Sequence, residues 1–351
     1  MKIIGCDIYT FNLPLLKPFF TKGKWISNRK GFLLRLNSSD GAAGFGEISP
    51  LPAFSRESLR EVRIQLQSLA FKNFKTIPQL FPSVRFGLES ALWNLLADQK
   101  KFPLQKILSP SQKINRKNIP VIGLLQGSLE NVVSETKRMK ARGFRDFKLK
   151  VGTNDMAQDI EKVRRVQALL KNRGTLRLDA NQFWTFEEAI SFAKAVEKDS
   201  IEYIEEPFKD IFTQRSLITQ FFQTTGIPVA LDESLRGMDP EHFKPFPGLK
   251  AVILKPTILG GIEKTFRWVK KAKELKVQAV ISSTFESGVG LSMLAQLAAA
   301  LECFPVGVDT YKWFLKDILI RPIKMVRGNL IVPAKSLRET DLDFSMLKTV
   351  V

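Results

Sequence analysis

Histidine and cysteine are almost absent from this sequence, which contains one histidine and two cysteines in 351 residues. The single histidine, His242, excludes mechanisms that need a histidine base beside a serine or cysteine nucleophile, and it excludes polyhistidine zinc sites. Cys6 and Cys303 are too few for a disulfide framework or a thiolate metal cluster. We expect His242 to be a surface residue, so any chemistry must depend on carboxylates and lysines.

The sequence also lacks any run of about 18 consecutive apolar residues, the length that a membrane helix needs. Residues 1–16 contain Lys2 and Asp7 and show neither an apolar signal-peptide region nor a cleavage site. We therefore expect a cytoplasmic protein without membrane insertion. The composition, 44% hydrophobic and 25% charged, is typical of a globular protein with a sizeable core.

Acidic residues are outnumbered by basic ones, 35 against 54, which gives a net charge of +19. Such a surplus can attract nucleic acid, anionic lipid or an anionic substrate. The sequence has no zinc-finger spacing and no aromatic-basic RNA-binding motif, and its lysine cluster at residues 270–276 is typical of a solvated helix face. We expect no nucleic-acid partner, whereas a monomer and a homo-oligomer both stay open.

Residues 1–108 mix strand and helix patterns, which predicts a small α+β domain. Strand patterns cover residues 2–13, 31–37 and 42–48, and helical patterns cover residues 56–72 and 83–101. The segments 14–30 and 46–55 are too irregular for either pattern. We expect two loops, and since long loops in compact domains often cover a functional site, a lid and an ordinary exposed loop both stay open for each.

From residue 121 onward, short apolar runs alternate with segments of helical character. The eight runs cover residues 121–127, 144–152, 176–181, 201–207, 228–234, 251–257, 277–287 and 306–311. This order favours an α/β fold in which residues 109–312 close into a TIM-type barrel. A doubly wound sheet is the alternative, but the glycine-rich turn expected after its first strand is missing. Strand-like runs at 318–323 and 329–334 suggest that residues 313–351 return to the N-terminal domain.

Charged side chains end five consecutive strands of the predicted barrel. They are Lys148, Lys150, Asp179, Glu205, Asp232 and Lys255. Each carboxylate is separated from the next by the length of one strand–helix unit. Because active sites of such barrels lie at the carboxyl ends of the strands, we expect all six groups to face one cavity. Glu206 and Glu233 neighbour two of the acids, but adjacent strand residues face opposite sides, so one member of each pair points inward.

Three carboxylates this close repel one another unless a cation lies between them, and an all-oxygen donor set suits Mg²⁺. A divalent metal in such a site can hold a substrate carboxylate and stabilise the charge of a developing carbanion. The lysines on either side can exchange a proton with the substrate. The pattern therefore predicts proton abstraction next to a carboxylate.

Five motifs of this region are similar to those of the enolase superfamily, in its muconate-lactonising subgroup. They are KLKVG at 148–152, RLDAN at 177–181, IEEP at 204–207, ALDES at 230–234 and VILKPT at 252–257. Within that subgroup, GEISPLPAFS at 46–55 and ISSTFES at 281–287 most resemble the o-succinylbenzoate synthase family of menaquinone biosynthesis. The resemblance implies a modified (β/α)7β barrel capped by the N-terminal α+β domain, with the segments 14–30 and 46–55 as lids over the site.

The resemblance also implies roles for the charged residues. Asp179, Glu205 and Asp232 would bind Mg²⁺. Lys150 would abstract the ring proton, Lys255 would stay charged and stabilise an enediolate, and Lys148 would hold the substrate carboxylate. Further contacts to the substrate are implied for Arg177, Asn181, Ser282, Ser283, Thr284 and Gly307. The implied reaction is dehydration of 2-succinyl-6-hydroxy-2,4-cyclohexadiene-1-carboxylate, a small dianionic substrate, to o-succinylbenzoate.

Other functions fit the same residues less well. An N-succinylamino acid racemase or a dipeptide epimerase would use Lys150 and Lys255 on opposite faces of its substrate. Dipeptide epimerases of this subgroup usually carry two acids on strand eight for the substrate amine, and here that run contains only Asp309. A Schiff-base aldolase leaves the three carboxylates unexplained, and a non-catalytic barrel leaves the intact set of six groups unexplained.

Overall fold

The computed structural model describes residues 2–21, 23–70, 79–109, 116–171, 173–209 and 215–350. An antiparallel four-stranded sheet with helices on one side forms the N-terminal unit. Its strands are β1 (Ile3–Thr21), β2 (Lys24–Ser38), β3 (Ala43–Ile48) and β14 (Leu347–Thr349), in the order β14-β1-β2-β3. Because β14 pairs with β1, the C-terminal segment lies against the N-terminal unit.

Three helices follow this sheet in sequence: α1 (Leu59–Ala70), α2 (Pro82–Lys100) and α3 (Leu104–Leu108). Helix α2 packs so closely on β3 that glycine is required at the contact. A Cβ atom on Gly46 would lie 1.9 Å from the carbonyl oxygen of Gly87, and one on Gly44 would lie 2.0 Å from that of Ala91. Helix α1 confirms the type of the helix predicted over residues 56–72, and residues 71 and 72 of that prediction lie outside the described residues.

The prediction of an irregular loop over residues 14–30 is wrong. Strands β1 and β2 continue through this segment as a long hairpin, with Phe19 opposite Ile26 and Phe20 opposite Trp25. The register shifts between Pro14 and Phe19, where proline has no amide hydrogen to give to the ladder. The sequence looked irregular because it contains this bulge, while the hairpin itself is held by pairing on both sides of it.

The barrel is a seven-stranded parallel sheet in the order β11-β10-β9-β8-β7-β6-β5. Its strands are β5 (Ile122–Leu125), β6 (Asp146–Lys150), β7 (Thr175–Asp179), β8 (Ile201–Glu205), β9 (Val229–Leu231), β10 (Leu249–Leu254) and β11 (Gln278–Ile281). The eighth predicted run contributes two parallel bridges, Val121 to Val306 and Ser282 to Gly307, which join the two edges of the sheet. The fold is thus a modified TIM-type (β/α)7β barrel with an N-terminal α+β capping domain.

Helices surround the barrel between successive strands. They are α4 (Leu129–Ala141), α5 (Met156–Leu170), α6 (Phe186–Ala195), α7 (Arg215–Thr225), α8 (Pro256–Leu259), α9 (Ile262–Glu274) and α10 (Gly288–Leu301). Between β9 and β10 the described chain forms short 3-10 turns instead, and one of them carries the exposed His242. No helix of the described ranges combines the length and apolar character that a membrane crossing requires.

A small antiparallel sheet with the order β12-β13-β4 joins the C-terminal segment to the chain just before the first barrel strand. Its strands are β4 (Asn118–Pro120), β12 (Met325–Val326) and β13 (Asn329–Ile331). The predicted strand over 318–323 is absent, and only Leu319 bridges to Leu342 there. Pro322 interrupts that apolar run, because proline cannot donate to a ladder.

Six side chains fill the interior of the barrel below its carboxyl end: Ile122, Tyr203, Ala230, Ala251, Ile253 and Val280. They form an apolar floor, so the space for a ligand lies above them, where the strands end and the capping domain begins.

Candidate active site

The charged groups predicted from the sequence meet at the carboxyl end of the barrel. On β6, β7 and β8 they stand at one level, since Lys150 is paired in register with Asp179 and Asp179 with Glu205. Asp232 and Lys255 directly follow the last residues of β9 and β10. Because the strands are parallel and neighbours in one sheet, their ends bring all of these side chains to the carboxyl end of the barrel.

Lysine ammonium groups neutralise the carboxylates in this arrangement. The Nζ of Lys150 lies 2.6 Å from Asp179 Oδ2, and the Nζ of Lys148 lies 2.9 Å from the same oxygen. Lys148 also reaches Glu205 Oε1 at 3.3 Å. On the opposite side of the site, Lys255 forms an ion pair with Asp232.

Burial and charge pull the pKa values of these groups in different directions. Burial alone would raise the pKa of Asp179, but Lys148 and Lys150 hold it well below its usual range. Burial and the Asp179 charge raise the pKa of Glu205 well above its usual range. Burial alone would lower the pKa of Lys148, but Asp179 and Glu205 raise it well above the ordinary value. Burial and the neighbouring acids therefore disfavour the charged form of Glu205.

The donor set of this cluster fits a divalent cation. Asp179, Glu205 and Asp232 are buried at the ends of adjacent strands and all offer carboxylate oxygens at the same end of the barrel. As the side chains stand, no three acids among the described residues are placed to hold a metal ion together, and each of these three is paired with a lysine. Burial and repulsion among the acids raise the pKa of Glu205. The charge of a bound Mg²⁺ would relieve this repulsion, and a set of oxygen donors suits that ion.

Lys255 is held in its charged form. Burial alone would lower the pKa of Lys255, but Asp232 and Glu233 outweigh this effect and raise it. Burial likewise acts to raise the pKa of Asp232, and Lys255 lowers it. A cation therefore faces the cavity from the side opposite Lys148 and Lys150.

A second layer of polar side chains fixes the cluster from behind. Glu206 accepts hydrogen bonds from the backbone N–H groups of Asp232 and Ser234, both at 2.8 Å. Burial, and next the charge of Glu233, raise the pKa of Glu206 to about 7. The sequence left open which member of the pair Glu205 and Glu206 points inward. Glu205 does, and Glu206 instead holds the loop that carries Asp232.

Asn181 bridges the lysine and the second layer. Its Oδ1 accepts from Lys150 Nζ at 2.5 Å, and its Nδ2 donates to Glu233 Oε1 at 3.0 Å. Asn181 has a left-handed backbone with φ of 46°, a conformation that asparagine tolerates better than most residues. This bend aims the amide at the site and orients Lys150.

A cavity of about 290 Å³ opens directly above these groups. Polar side chains line one side of it: Lys148, Lys150, Asn181, Lys255, Ser282, Ser283 and Thr284, with Gly307 beside them. Ser282 donates to the Gly307 carbonyl at 3.0 Å, and the Ser283 and Thr310 hydroxyls lie 2.7 Å apart. The predicted Ser-Ser-Thr wall therefore lines the cavity, next to the segment that closes the barrel.

Arg177 is the one predicted substrate contact that the structure does not bring to this cavity. Its Nη1 lies 3.0 Å from Asp146 Oδ1 and its Nε lies 2.6 Å from Glu202 Oε2. Arg177 stands two residues before Asp179 on β7, so it points inward one layer lower, beside the Tyr203 ring. Its role here is to pair with acids in the barrel interior below the site.

Aromatic side chains roof the cavity, and sequence patterns did not single them out as site residues. Phe19 from the β1–β2 hairpin stacks on Phe285 with ring centroids 4.4 Å apart, and Trp313 packs on Phe285 at 5.3 Å. Leu51 and Phe54 of the segment 46–55 add to this wall. The two segments expected to be lids thus contribute apolar surface to the cavity, one as a hairpin and one as a turn.

The buried Arg29 joins these roof segments. Its guanidinium donates to the carbonyl oxygens of Ser49 at 2.8 Å, Pro50 at 3.1 Å and Phe285 at 3.0 Å. Phe285 has a φ of 60°, which is uncommon for an aromatic residue. Arg29 therefore ties the capping domain to the barrel loop and holds Phe285 in a strained conformation. The pairing spans distant parts of the chain, so no local pattern could have indicated it.

Comparison with known proteins agrees with this geometry. Residues 131–336 match the family described as Enolase C-terminal domain-like, and residues 4–95 match the MenC N-terminal domain. The o-succinylbenzoate synthase of Enterobacter sp. is 34% identical over 333 residues, covering 90% of this chain and 94% of that protein. Protein PHYLLO, chloroplastic, of Arabidopsis thaliana is 31% identical over 353 residues, covering 86% of this chain but only 20% of that protein.

Solved structures share the whole fold. A dipeptide epimerase from Cytophaga hutchinsonii, complexed with Mg and the dipeptide D-Ala-L-Val, superposes with a TM-score of 0.86 at 23% identity, covering 100% of this chain and 99% of that one. A muconate lactonizing enzyme from Pseudomonas fluorescens gives 0.83 at 20% identity, with 98% of both chains covered. The chain therefore belongs to the enolase superfamily, in its muconate-lactonising subgroup, and within it to the o-succinylbenzoate synthase family.

Proposed function

We propose that this protein is an o-succinylbenzoate synthase, a Mg²⁺-dependent lyase that dehydrates 2-succinyl-6-hydroxy-2,4-cyclohexadiene-1-carboxylate in menaquinone biosynthesis. The observation that carries the proposal is the arrangement of Lys150 and Lys255 on opposite sides of one cavity, each paired with a buried carboxylate behind the cavity wall. Relatives named o-succinylbenzoate synthase, 33% and 34% identical over most of their length, support the substrate.

Asp179, Glu205 and Asp232 would hold Mg²⁺, which when bound supplies a Lewis acid for the substrate carboxylate. Lys150 in its neutral form removes the proton from the ring carbon that bears this carboxylate. The electron pair moves toward the carboxylate to give an enediolate, and the charged Lys255 stabilises it from the other side. Lys148 attracts the carboxylate to the site.

The second half of the reaction expels water. The electron pair returns to the ring as the carbon–oxygen bond of the hydroxyl group breaks, and the Lys150 ammonium gives its proton to the departing oxygen. The ring becomes aromatic, which makes the elimination strongly favourable. Asn181 orients Lys150 through both proton transfers by accepting from its Nζ.

The direct test is a dehydratase assay with purified protein, in which loss of the cyclohexadiene absorbance is followed with Mg²⁺ and with EDTA. We expect turnover that EDTA abolishes and excess Mg²⁺ restores. Absence of dehydration with Mg²⁺ present, or turnover that EDTA leaves intact, would refute the proposal.

A racemase or epimerase is the second candidate, because Lys150 and Lys255 face the cavity from both sides as that chemistry requires. Solved relatives of the same fold include an N-succinyl Arg/Lys racemase from Bacillus cereus. Incubation with an N-succinylamino acid in heavy water separates the two candidates. Rapid exchange of the α-proton without dehydratase activity would favour the racemase.

A further inference from the structure

A pair of opposite charges lies in the cavity wall away from the proposed metal ligands. Asp309 follows the segment that closes the barrel, and its buried side chain lines the cavity next to Leu124 and Thr310. Asp309 Oδ2 accepts a hydrogen bond from the Leu124 backbone N–H at 2.8 Å and from Lys312 Nζ at 2.5 Å. The only acid in this wall, among the cavity-lining residues described, is therefore paired.

Lys312 approaches Asp309 from outside the cavity. Its Nζ also lies 3.1 Å from Glu135 Oε1 and 3.2 Å from the Leu124 carbonyl oxygen. Glu135 is in turn paired with Arg138 at 2.7 Å. Four charges thus form two balanced pairs, and of the four only Asp309 reaches the ligand space.

The pairing of Asp309 with Lys312 determines the net charge that this wall of the cavity presents to a ligand. With Lys312 in place, Asp309 adds little net charge, and the ammonium groups at the other end of the cavity dominate. Without Lys312, a buried carboxylate would face the ligand directly, and in a partly dry site it would repel an anion and attract a cation strongly.

We propose that Lys312 is a specificity-determining residue, which neutralises Asp309 and so makes this wall accept the anionic tail of a substrate and reject an ammonium. The identity of the natural dianion rests on the proposed function, but the charge preference of the wall does not. Lys312 acts through Asp309 and takes no part in proton transfer.

The test uses two probes of matching length that differ in one terminal charge: N-succinyl-L-alanine, which ends in a carboxylate, and β-alanyl-L-alanine, which ends in an ammonium. Binding to the full-length protein with Mg²⁺ is measured by titration calorimetry. We expect the wild type to prefer the succinyl probe. Lys312→Met should shift the ratio of the two affinities toward the ammonium probe by on the order of tenfold or more.

Two further variants separate charge selection from a simple structural brace. Adding Asp309→Asn to Lys312→Met should restore the preference for the succinyl probe, because the exposed charge is gone. Glu135→Gln removes the other partner of Lys312 and should leave the ratio within about twofold. Equal weakening of both probes by Lys312→Met, no rescue by Asp309→Asn, or a wild type that binds neither probe would overturn the inference.

The dehydratase assay on the wild type is run separately. A protein that fails this assay but shows the expected shift in probe affinities would refute the proposed function and leave the inference standing. The reverse result would refute the inference alone.

Discussion

Replacing Arg29 by methionine tests how the roof of the cavity is held. Arg29 is 1% exposed and donates to three carbonyl oxygens within 3.1 Å, two in the capping domain and one at Phe285. Methionine keeps much of the apolar stem but leaves these carbonyls without a donor, at about 1–3 kcal/mol for each one that water cannot reach. Allowing for partial rehydration, we expect a loss of about 3–5 kcal/mol in the free energy of unfolding.

This loss of unfolding free energy corresponds to a lower melting temperature for the Arg29→Met variant. With an unfolding entropy of about 2.1 cal/mol/K per residue, the chain would melt about 4–7 °C lower by calorimetry. The control is Arg165→Met, which removes an exposed pair with Glu161 and should change stability by less than about 1 kcal/mol.

Activity gives an independent measure of the same clamp. Because Arg29 fixes Phe285 but does not reach the lysines, Arg29→Met should raise KM several-fold while kcat falls much less. A melting temperature within about 1 °C of wild type together with an unchanged KM would refute the role assigned to Arg29.

Four other variants test separate parts of the structure. Lys150→Ala should lower kcat by at least about 10²–10⁴-fold with an unchanged circular dichroism spectrum, and preserved turnover would exclude it as the base. Asp232→Asn should raise the Mg²⁺ concentration for half-maximal activity by at least about tenfold, whereas an unchanged requirement would remove it from the ligand set. Burial raises the pKa of Glu206 to about 7, so the folded state keeps a proton that the unfolded chain releases near pH 4.5. Stability is therefore lost as pH rises through this window, by up to about 3 kcal/mol, and Glu206→Gln should remove that part of the pH dependence in urea titrations. Gly46→Ala should destabilise the capping domain by at least about 2 kcal/mol, because its Cβ would meet the Gly87 carbonyl oxygen, and a wild-type melting curve would contradict this packing.

The charged cluster could be predicted because its geometry follows from a repeat. Each strand–helix unit brings the next strand end to the same level, so Asp179, Glu205 and Asp232 needed only a regular spacing to be grouped. The register of β6, β7 and β8 depends on the same repeat. The alternation of apolar runs with segments of helical character likewise indicated the barrel helices, although between β9 and β10 the described chain forms short 3-10 turns instead.

The roof could not be predicted in the same way. The hairpin over residues 14–30 depends on pairing across a bulge, and Arg29 bonds to Phe285 from a distance of 256 residues along the chain. Arg177 shares the inward face of β7 with Asp179 but stands two residues earlier, so the rise along a strand places it one layer below the site. Its level among the acids of two neighbouring strands therefore does follow from the sequence, unlike the roof contacts.

Placing part of the roof on a different structural unit from the charged groups separates the shape of the cavity from its chemistry. Phe19 and Leu51 belong to the capping domain, whereas the lysines and acids belong to barrel strands. Mutations in the β1–β2 hairpin can therefore change which ligand shapes the cavity accepts without altering the groups that transfer the proton. A gene of this kind can acquire a new substrate by small steps while its chemistry stays intact.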